Sequence, residues 1–178
     1  SLTSLDVSTN AALVELHVQD NLISSLDLSL NPLLYNLYCQ NNEVLSTLIL
    51  PQENVVNPGS NPILNNTLYK VQAYNNILTE LDISTNIGIR DINIENNDLT
   101  CIKVWDANIA NNSSNNSCTS YTNNGQWGYW CFRKDNDASW SEDCEYAVIG
   151  CTDSEACNYN FAATIDNDLC YYDSDGDG

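Results

Sequence analysis

Apolar residues recur along the first hundred residues in a fixed frame of three apolar positions followed by an asparagine. Its four copies are Leu13, Leu16, Val18, Asn21; Leu34, Leu37, Cys39, Asn42; Leu68, Val71, Ala73, Asn76; and Ile89, Ile92, Ile94, Asn97. Successive copies are 21, 34 and 21 residues apart, so one repeat carries an insertion of 13 residues, mainly around 51–63. Apolar residues at i and i+2 predict a short strand with these side chains facing inward.

A second strand-like phrase lies between the copies of this frame. It reads LTSLDVSTN at 2–10, SSLDLSLN at 24–31 and TELDISTN at 79–86, with a shorter version at 101–104. Each repeat therefore predicts two short strands. We expect the asparagines of the bends to bind backbone groups there, in one ladder of Asn21, Asn42, Asn76 and Asn97 and a second of Asn10, Asn31 and Asn86.

Residues that alternate with the inward positions of the first strand predict three outward columns. The columns are Glu15, Asn36, Lys70, Asp91; His17, Tyr38, Gln72, Asn93; and Gln19, Gln40, Tyr74, Glu95. Aromatic and amide side chains in adjacent rows suit a sugar or an extended peptide. The candidate ligand-binding residues are His17, Gln19, Tyr38, Gln40, Gln72, Tyr74, Asn93 and Glu95, and ordinary surface polarity is the alternative.

The second strand set places Asp6, Asp27 and Asp82 in equivalent outward positions. Stacked like charges repel one another, so we expect each carboxylate to accept hydrogen bonds from the neighbouring Ser or Thr of its turn. Cation binding is the alternative for these aspartates.

Composition narrows the class of protein. The chain of 178 residues is 43% apolar, which suffices for a core, and 24 acidic against 5 basic residues give a net charge of -19. Such a charge excludes nucleic acid as a partner. Eight cysteines with a single histidine, His17, favour disulfides over zinc, and hence an oxidising compartment. No segment is apolar enough to predict a transmembrane helix.

The frame LxxLxVxxNxLxxLDVSxN over residues 1–104 resembles the 21-residue leucine-rich repeats of secreted Bacteroidetes proteins. The resemblance implies a mainly β fold, a leucine-rich-repeat parallel β-solenoid with little helix, and export by type IX secretion. No polar cap precedes the first repeat, so we expect further repeats or a packing partner at that end.

Residues 105–147 differ from the repeats and are similar to the cap that closes such arrays. Cys101, Ile102, Val104, Asp106, Trp130, Lys134, Asp135, Trp140 and Cys144 fit the pattern of that cap. The resemblance implies a disulfide between Cys101 and Cys144 that closes the core under Trp105, Trp130 and Trp140. Spacing suggests that Cys118 pairs with Cys131 in an enlarged loop, and Cys39 is expected to be a buried free thiol.

Residues 148–178 form a third segment. The phrase GCTDSEACNYNFAATIDNDLC resembles the GCTDxxACNYxxxAxxDDGSC repeat of large Bacteroidetes surface proteins, with a turn glycine lost, and implies a small irregular module bridged by Cys151 and Cys170. Cys157 is then left over, and we expect its partner to lie beyond Gly178. The final DSDGDG resembles oxygen-rich calcium repeats, which makes Asp173, Asp175 and Asp177 candidate calcium ligands.

These features together predict an extracellular or cell-surface binding and adhesion module whose ligand is a protein or a glycan. The alternatives are a structural subunit that self-associates in an extracellular fibre or matrix, and a non-catalytic, glycan-binding part of a larger secreted enzyme. We expect no catalysis by this chain, because no Ser/His/Asp or Cys/His arrangement, phosphate loop or zinc cluster is present in its sequence. Calcium is the one cofactor expected.

Overall fold

The computed structural model of the protein consists mainly of short strands. It describes residues 1–52, 68–112, 119–123, 126–144, 149–160, 165–166 and 168–172. Contacts divide the chain into two compact units, Ser1–Cys144 and Glu145–Gly178. The prediction of a mainly β protein is confirmed.

The elements of the first unit are, in chain order, β1 (Glu15–His17), β2 (Ser25–Asp27), β3 (Asn36–Tyr38), β4 (Thr47–Ile49), β5 (Lys70–Gln72), β6 (Leu81–Asp82), β7 (Asp91–Asn93), β8 (Cys101–Lys103), α1 (Ala107–Asn112), β9 (Thr119–Asn123), β10 (Gln126–Arg133) and β11 (Ser139–Ser141). The second unit contains β12 (Ile149–Gly150) and β13 (Ile165–Asp166). None of the described helices is long and apolar enough to cross a membrane.

One sheet has six strands in the order β1-β3-β5-β7-β10-β9. All neighbours are parallel except β9 and β10, which form an antiparallel hairpin. The central inward residues are partners across the sheet, in the order Leu16, Leu37, Val71, Ile92 and Phe132. The predicted strand frame is therefore confirmed in all four copies, and β10 adds a parallel strand that the frame does not include.

The second strand set forms two smaller parallel sheets, β2-β4 and β6-β8-β11. The prediction of a strand in the first phrase, residues 2–10, is wrong. The end of that phrase is a turn instead, in which Asn10 donates to the Val7 carbonyl and the Asn31 amide binds the carbonyls of both Val7 and Asn10. We call each parallel strand of the six-stranded sheet, together with the second-set strand that follows it in the chain, a rung. The five rungs are β1-β2, β3-β4, β5-β6, β7-β8 and β10-β11.

β4 was not predicted, because its sequence lacks the Leu-Asp-Val-Ser phrase. Ile49 lies where the repeat has aspartate and is the register partner of Asp27. The repeat with the insertion therefore retains both of its strands. Most of the predicted insertion lies outside the described residues.

Both strand sets share one hydrophobic core. Its inward residues are fully buried on the interior rungs, among them Leu37 and Val71 from the large sheet and Leu81 and Ile102 from the second set. The two strand sets therefore bury their inward side chains in the same core.

Buried asparagines link the rungs, as predicted. Asn76 Oδ1 accepts the backbone N–H of Asn42 at 2.8 Å, and its Nδ2 donates to the carbonyls of Cys39 and Ala73. Asn42 likewise binds the N–H of Ile23 and the Cys39 carbonyl. Each amide thus satisfies backbone groups of two neighbouring rungs, which would otherwise be buried without partners.

A further row of hydrogen-bonded side chains, exposed and distinct from both predicted ladders, was not predicted. Asn41 Nδ2 donates to Asp20 Oδ1, Asn75 to Asn41, and Asn96 to Asn75, at 2.7–2.8 Å. The four residues have φ of 55–58°, in the left-handed region where aspartate and asparagine are tolerated better than other non-glycine residues. Asp135 continues the row by accepting the N–H groups of Asn96 and Asn97.

The cap closes the core with aromatic rings. Phe132 is fully buried and contacts Trp105 edge-on at 5.8 Å and Trp140 at 5.6 Å between ring centroids. The predicted Cys101–Cys144 disulfide is confirmed. Asp106 caps α1 by accepting the N–H groups of Asn108 and Ile109.

The second unit is small and irregular. β12 and β13 are parallel, and the predicted Cys151–Cys170 disulfide is confirmed. Asn158 joins the two halves of the unit by donating to Leu169 O and accepting from Tyr171 N. Asp168, at the position of the lost turn glycine, has φ 56° and so takes the left-handed conformation that glycine favours.

Candidate binding face

The outward columns of the six-stranded sheet lie in the predicted register. Glu15, Asn36, Lys70 and Asp91 are successive cross-strand partners, as are His17, Tyr38, Gln72 and Asn93. Gln19, Gln40, Tyr74 and Glu95 follow two residues after the second column and are half-buried. The register thus aligns the predicted candidates in columns on one face. Ligand binding by these residues stays a prediction.

Charges are paired along the first column. Lys70 Nζ lies 3.0 Å from Asp91 Oδ2, and Arg133 Nη2 lies 2.6 Å from Asp91 Oδ1. Asp91 therefore bridges two cations from the strands on either side of it. Glu15 accepts a hydrogen bond of 3.4 Å from Asn36. Two of the five basic residues of the chain are therefore paired with Asp91: Lys70 of the same column and Arg133, which lies opposite Asn93 of the second column.

Aromatic rings stack in the second column. His17 and Tyr38 are 4.4 Å apart between centroids with nearly parallel planes, and Lys70 Nζ lies 5.7 Å from the centroid of Tyr38. Both faces of the tyrosine ring are thus in contact with side chains of neighbouring strands, and its edge remains for solvent.

His17 also has an acidic neighbour that sequence reasoning did not assign to it. Its Nε2 lies 3.1 Å from Glu15 Oε1, because residues two apart on a strand project from the same face. Both side chains are about half exposed, at 51% and 48%. An exposed pair of this kind is typical of a surface ion pair.

Gln72 differs from expectation. It occupies the predicted place in the second column but is only 9% exposed, and its Nε2 donates to the carbonyl of Val71. It lies on an interior strand between Tyr38 and Asn93, whose side chains flank it on both sides. Its side chain is thus mostly covered, and its contact with a ligand stays a prediction.

One further row of outward side chains was missed. It consists of the residues immediately before β1, β3, β5 and β7, which are Val14, Tyr35, Tyr69 and Arg90. Trp130 takes the corresponding position within β10 and packs partly against the core. Tyr35 and Tyr69 are stacked at 5.2 Å and are 44% and 39% exposed, and Arg90 lies 5.3 Å over the Trp130 ring. The signal was available, since these positions share the spacing of the repeat, but they fall outside the alternation used to define the columns.

The aspartates of the second set are engaged as expected. Ser8, Ser29 and Ser84 each donate a backbone N–H to Asp6, Asp27 and Asp82 respectively, at 2.8–2.9 Å. The N–H of Ser8, with a smaller contribution from its side chain, lowers the pKa of Asp6. For Asp27 the side chain of Ser29 is the larger cause of the lowered pKa and its N–H the smaller.

A hollow opens between the first two of these turns. It is lined by Leu5, Asp6, Ser8, Ser25, Asp27, Ser29 and Leu30. Its carboxylates already accept the serine hydrogen bonds. Within the described part of the chain, no group of three or more His, Cys, Asp or Glu residues is arranged to hold a metal ion.

The described cysteines outside the two predicted disulfides are Cys39, Cys131 and Cys157. Cys39 is a buried free thiol, as predicted, and burial raises its pKa to about 12, so it stays protonated and inert. Cys157 is a free, exposed thiol. Cys131 is disulfide-bonded, while its predicted partner Cys118 lies outside the described residues, as do the calcium candidates Asp173, Asp175 and Asp177.

Comparison with protein-family models, curated proteins and solved structures finds no match to this chain.

Proposed function

We propose that residues 1–104 are a leucine-rich-repeat β-solenoid of the kind found in secreted Bacteroidetes proteins and that the protein is a non-catalytic recognition module. The parallel register of strands 21 residues apart supports the repeat, and the asparagine ladders support stacking of its rungs. A regular stack of this type provides an extended face whose side chains vary while the core stays the same.

An extracellular or cell-surface location accords with the chemistry of the chain. The Cys101–Cys144 and Cys151–Cys170 disulfides persist in oxidising compartments. Export by type IX secretion is part of the same proposal and derives from the resemblance of the repeats and of the tail.

The ordered outward face of the six-stranded sheet is the observation that carries the proposal. Tyr38 is held between His17 and Lys70, and Tyr35 is stacked on Tyr69. Side chains fixed before binding lose little conformational entropy when a ligand arrives, which favours recognition. Tyrosine in particular supplies a large contact area with only two rotatable bonds.

The ring geometry favours a protein ligand over a sugar. Sugar rings stack on open aromatic faces, whereas in the stacked pairs His17–Tyr38 and Tyr35–Tyr69 each ring has one face covered by its partner. Exposed ring edges, half-buried amides and the Lys70–Asp91–Arg133 row suit the mixed polar and apolar surface of a folded protein or an extended peptide.

Binding of the whole 178-residue protein to peptide and glycan arrays tests this proposal. The variant Tyr35→Ser/Tyr69→Ser removes the stacked pair, and Val44→Ser/Ile77→Ser removes two exposed apolar side chains from the same two rungs but away from this face. We expect specific peptide hits that the tyrosine variant weakens at least tenfold and the control variant leaves unchanged. Hits confined to glycans would favour the accessory role in a secreted enzyme instead, and hits equally sensitive to both variants would refute the proposed face.

Calcium binding by Asp173, Asp175 and Asp177 belongs to the proposal as well and derives from the DSDGDG sequence alone. Equilibrium dialysis of the native protein with calcium tests it. We expect the variant Asp175→Asn to lower the bound calcium, with Asp98→Asn in the first unit as a control of equal charge change.

A further inference from the structure

The third column of the outward face continues the pairing of the six-stranded sheet. Each residue that follows a member of this column donates its backbone N–H to the next member of the column, at 3.0–3.1 Å: Asp20 to Gln40, Asn41 to Tyr74, and Asn75 to Glu95. These bonds hold the half-buried side chains of the column side by side, about 4.8 Å apart. The column is therefore a regular row with the spacing of the strands.

The two glutamines of this column have unpaired acceptors. Gln19 Oε1 and Gln40 Oε1 are shielded from solvent and accept no hydrogen bond within the described part of the chain. A buried acceptor without a donor is costly, because folding removes the water that would otherwise bind it. The terminal amide of glutamine rotates about a broad torsion, so each oxygen can turn outward to a donor that a ligand brings.

The charges at this column are negative. Glu95 belongs to it, Asp20 follows Gln19 directly and is exposed, and Asp135 takes the same position after β10 that Glu95 takes after β7. The basic side chains of the first two columns are both paired with Asp91. Because the chain as a whole carries a net charge of -19, a positively charged hydrogen-bond donor fits this column best.

Arginine is the side chain that matches these features most closely. Its guanidinium group carries five N–H donors and no acceptor. It also stacks on aromatic rings and binds a carboxylate through two parallel N–H groups, which an ammonium group does not do. Tyr74 and Glu95 are neighbours in the column and offer a ring and a carboxylate. Arginine therefore suits that end of the column, and further donors suit the glutamine end.

From these observations we propose that the third column binds the arginine side chains of a basic, extended peptide segment of a partner protein. This assignment rests on the proposed function of the outward face and names the chemistry of its ligand. The guanidinium donors pair with the amide oxygens of Gln19 and Gln40 and with the carboxylate of Glu95. The acidic protein attracts such a segment over a distance that salt shortens, whereas the hydrogen bonds of the column fix its position at short range.

Fluorescence anisotropy of the 178-residue protein with three labelled peptides of equal length tests the proposal. The peptides alternate threonine with arginine, glutamine or glutamate, and the buffer contains salt at about 0.15 M. We expect the arginine peptide to bind most tightly. Gln19→Leu/Gln40→Leu removes both acceptors without changing the net charge, so it should raise the Kd of that peptide about tenfold or more.

Two matched controls accompany these changes. Gln52→Leu, in the exposed chain after β4, repeats the change of glutamine to leucine away from the column. Glu95→Gln should weaken the arginine peptide severalfold, whereas Glu80→Gln, before β6, changes the net charge equally and should leave Kd nearly unchanged. Circular dichroism and urea unfolding establish that each variant is folded.

The outcomes separate this proposal from the one on which it rests. An arginine peptide that binds the native protein and Gln19→Leu/Gln40→Leu equally well is attracted by net charge alone, which would overturn the proposal. Tighter binding of the neutral or acidic peptide, or no binding of any peptide, would overturn it as well. Peptides that lose affinity in Tyr35→Ser/Tyr69→Ser but not in the glutamine variant would leave the recognition face standing and refute only its basic ligand.

Discussion

At the scale of single residues, side-chain amides and carboxylates bind backbone groups that longer strands would pair within a sheet. A strand of three residues forms few ladder hydrogen bonds, and Asn42 and Asn76 supply the rest by binding backbone groups of two rungs each. Because they are buried, water cannot replace these contacts, which explains why the frame requires asparagine at this position and tolerates varied apolar residues elsewhere.

Replacing one asparagine of the buried ladder measures its contribution. Asn76→Ala leaves the N–H of Asn42 buried without an acceptor, while the carbonyls of Cys39 and Ala73 keep the amide donors of Asn42 and Asn97. We therefore expect a loss of about 2–3 kcal/mol in the free energy of unfolding. In Asn21→Ala, at the half-exposed first rung, water replaces the lost contacts and the loss is about 1 kcal/mol. Urea unfolding compares the two; equal losses would contradict the ladder account.

The aspartates of the second set give a prediction on pH. The lowered pKa of Asp27 means that folding favours its ionised form, so this group contributes stability above the ordinary pKa of an aspartate and loses it as pH falls through the lowered value. Because the side chain of Ser29 is the larger cause, Ser29→Ala should raise the pKa of Asp27 toward its ordinary value, while the N–H of residue 29 continues to lower it. Ser8→Ala should change Asp6 less, since the backbone N–H dominates there. Carboxyl titration by NMR distinguishes the two responses.

Asp168 has a conformation that its side chain makes costly. With φ of 56°, it occupies the left-handed region that glycine adopts without penalty. Both Asp168→Gly and Asp168→Ala remove the carboxylate, so we expect the glycine variant to be more stable than the alanine variant by about 1 kcal/mol. Thermal unfolding of the two variants checks this, and equal stabilities would contradict it.

At the scale of elements, the frame of apolar residues predicted every strand that conforms to the repeat. β1, β3, β5 and β7 follow because inward positions must alternate with outward ones. β4 escaped prediction because Ile49 replaces the aspartate of the phrase, although its neighbours keep the apolar alternation. Residues 2–10 show the opposite case. They have the pattern of the phrase but form no strand, and the end of the phrase is a turn.

The candidate face was predicted less completely than the strands. The alternation of inward and outward positions placed His17 and Tyr38 correctly but did not indicate that they stack, because ring contacts depend on side-chain rotamers. It also treated Gln72 as exposed and left out the Tyr35–Tyr69 pair, because side-chain exposure depends on the size of neighbours from strands far away in the sequence.

The exceptional residue of β4 provides a test at this scale. Ile49 lies opposite Asp27, so Ile49→Asp would restore the repeat consensus while placing two carboxylates side by side. We expect a destabilisation of about 0.5–1 kcal/mol, since like charges directly opposite repel. Ile49→Asn removes the same apolar side chain without the charge, and the difference between the two variants in urea unfolding isolates the repulsion. An aspartate as stable as the asparagine would refute it.

At the scale of the whole molecule, the first unit has two different ends. Phe132, Trp140 and the Cys101–Cys144 disulfide close one of them, whereas β1 leaves backbone groups and partly covered apolar residues at the other. In the proposed solenoid, coupling between rungs is carried by neighbours, so the loss of one end should spread inward from that end. The proposal therefore makes the order of the outward face depend on the interior rungs.

Hydrogen exchange measured by mass spectrometry on dilute native protein, with and without the Cys101–Cys144 disulfide, tests this stack most directly. Loss of the disulfide in Cys101→Ser/Cys144→Ser removes about 4 kcal/mol under the chain-entropy model. We expect the slowest exchange in β3, β5 and β7 of the native protein and faster exchange in residues 1–14. In the variant, exchange should rise first in β8 and β11 and least in β1. Hydrogen exchange that accelerates equally in all strands, or interior strands that exchange as fast as residues 1–14, would contradict a stack of rungs as the basis of the proposed binding face.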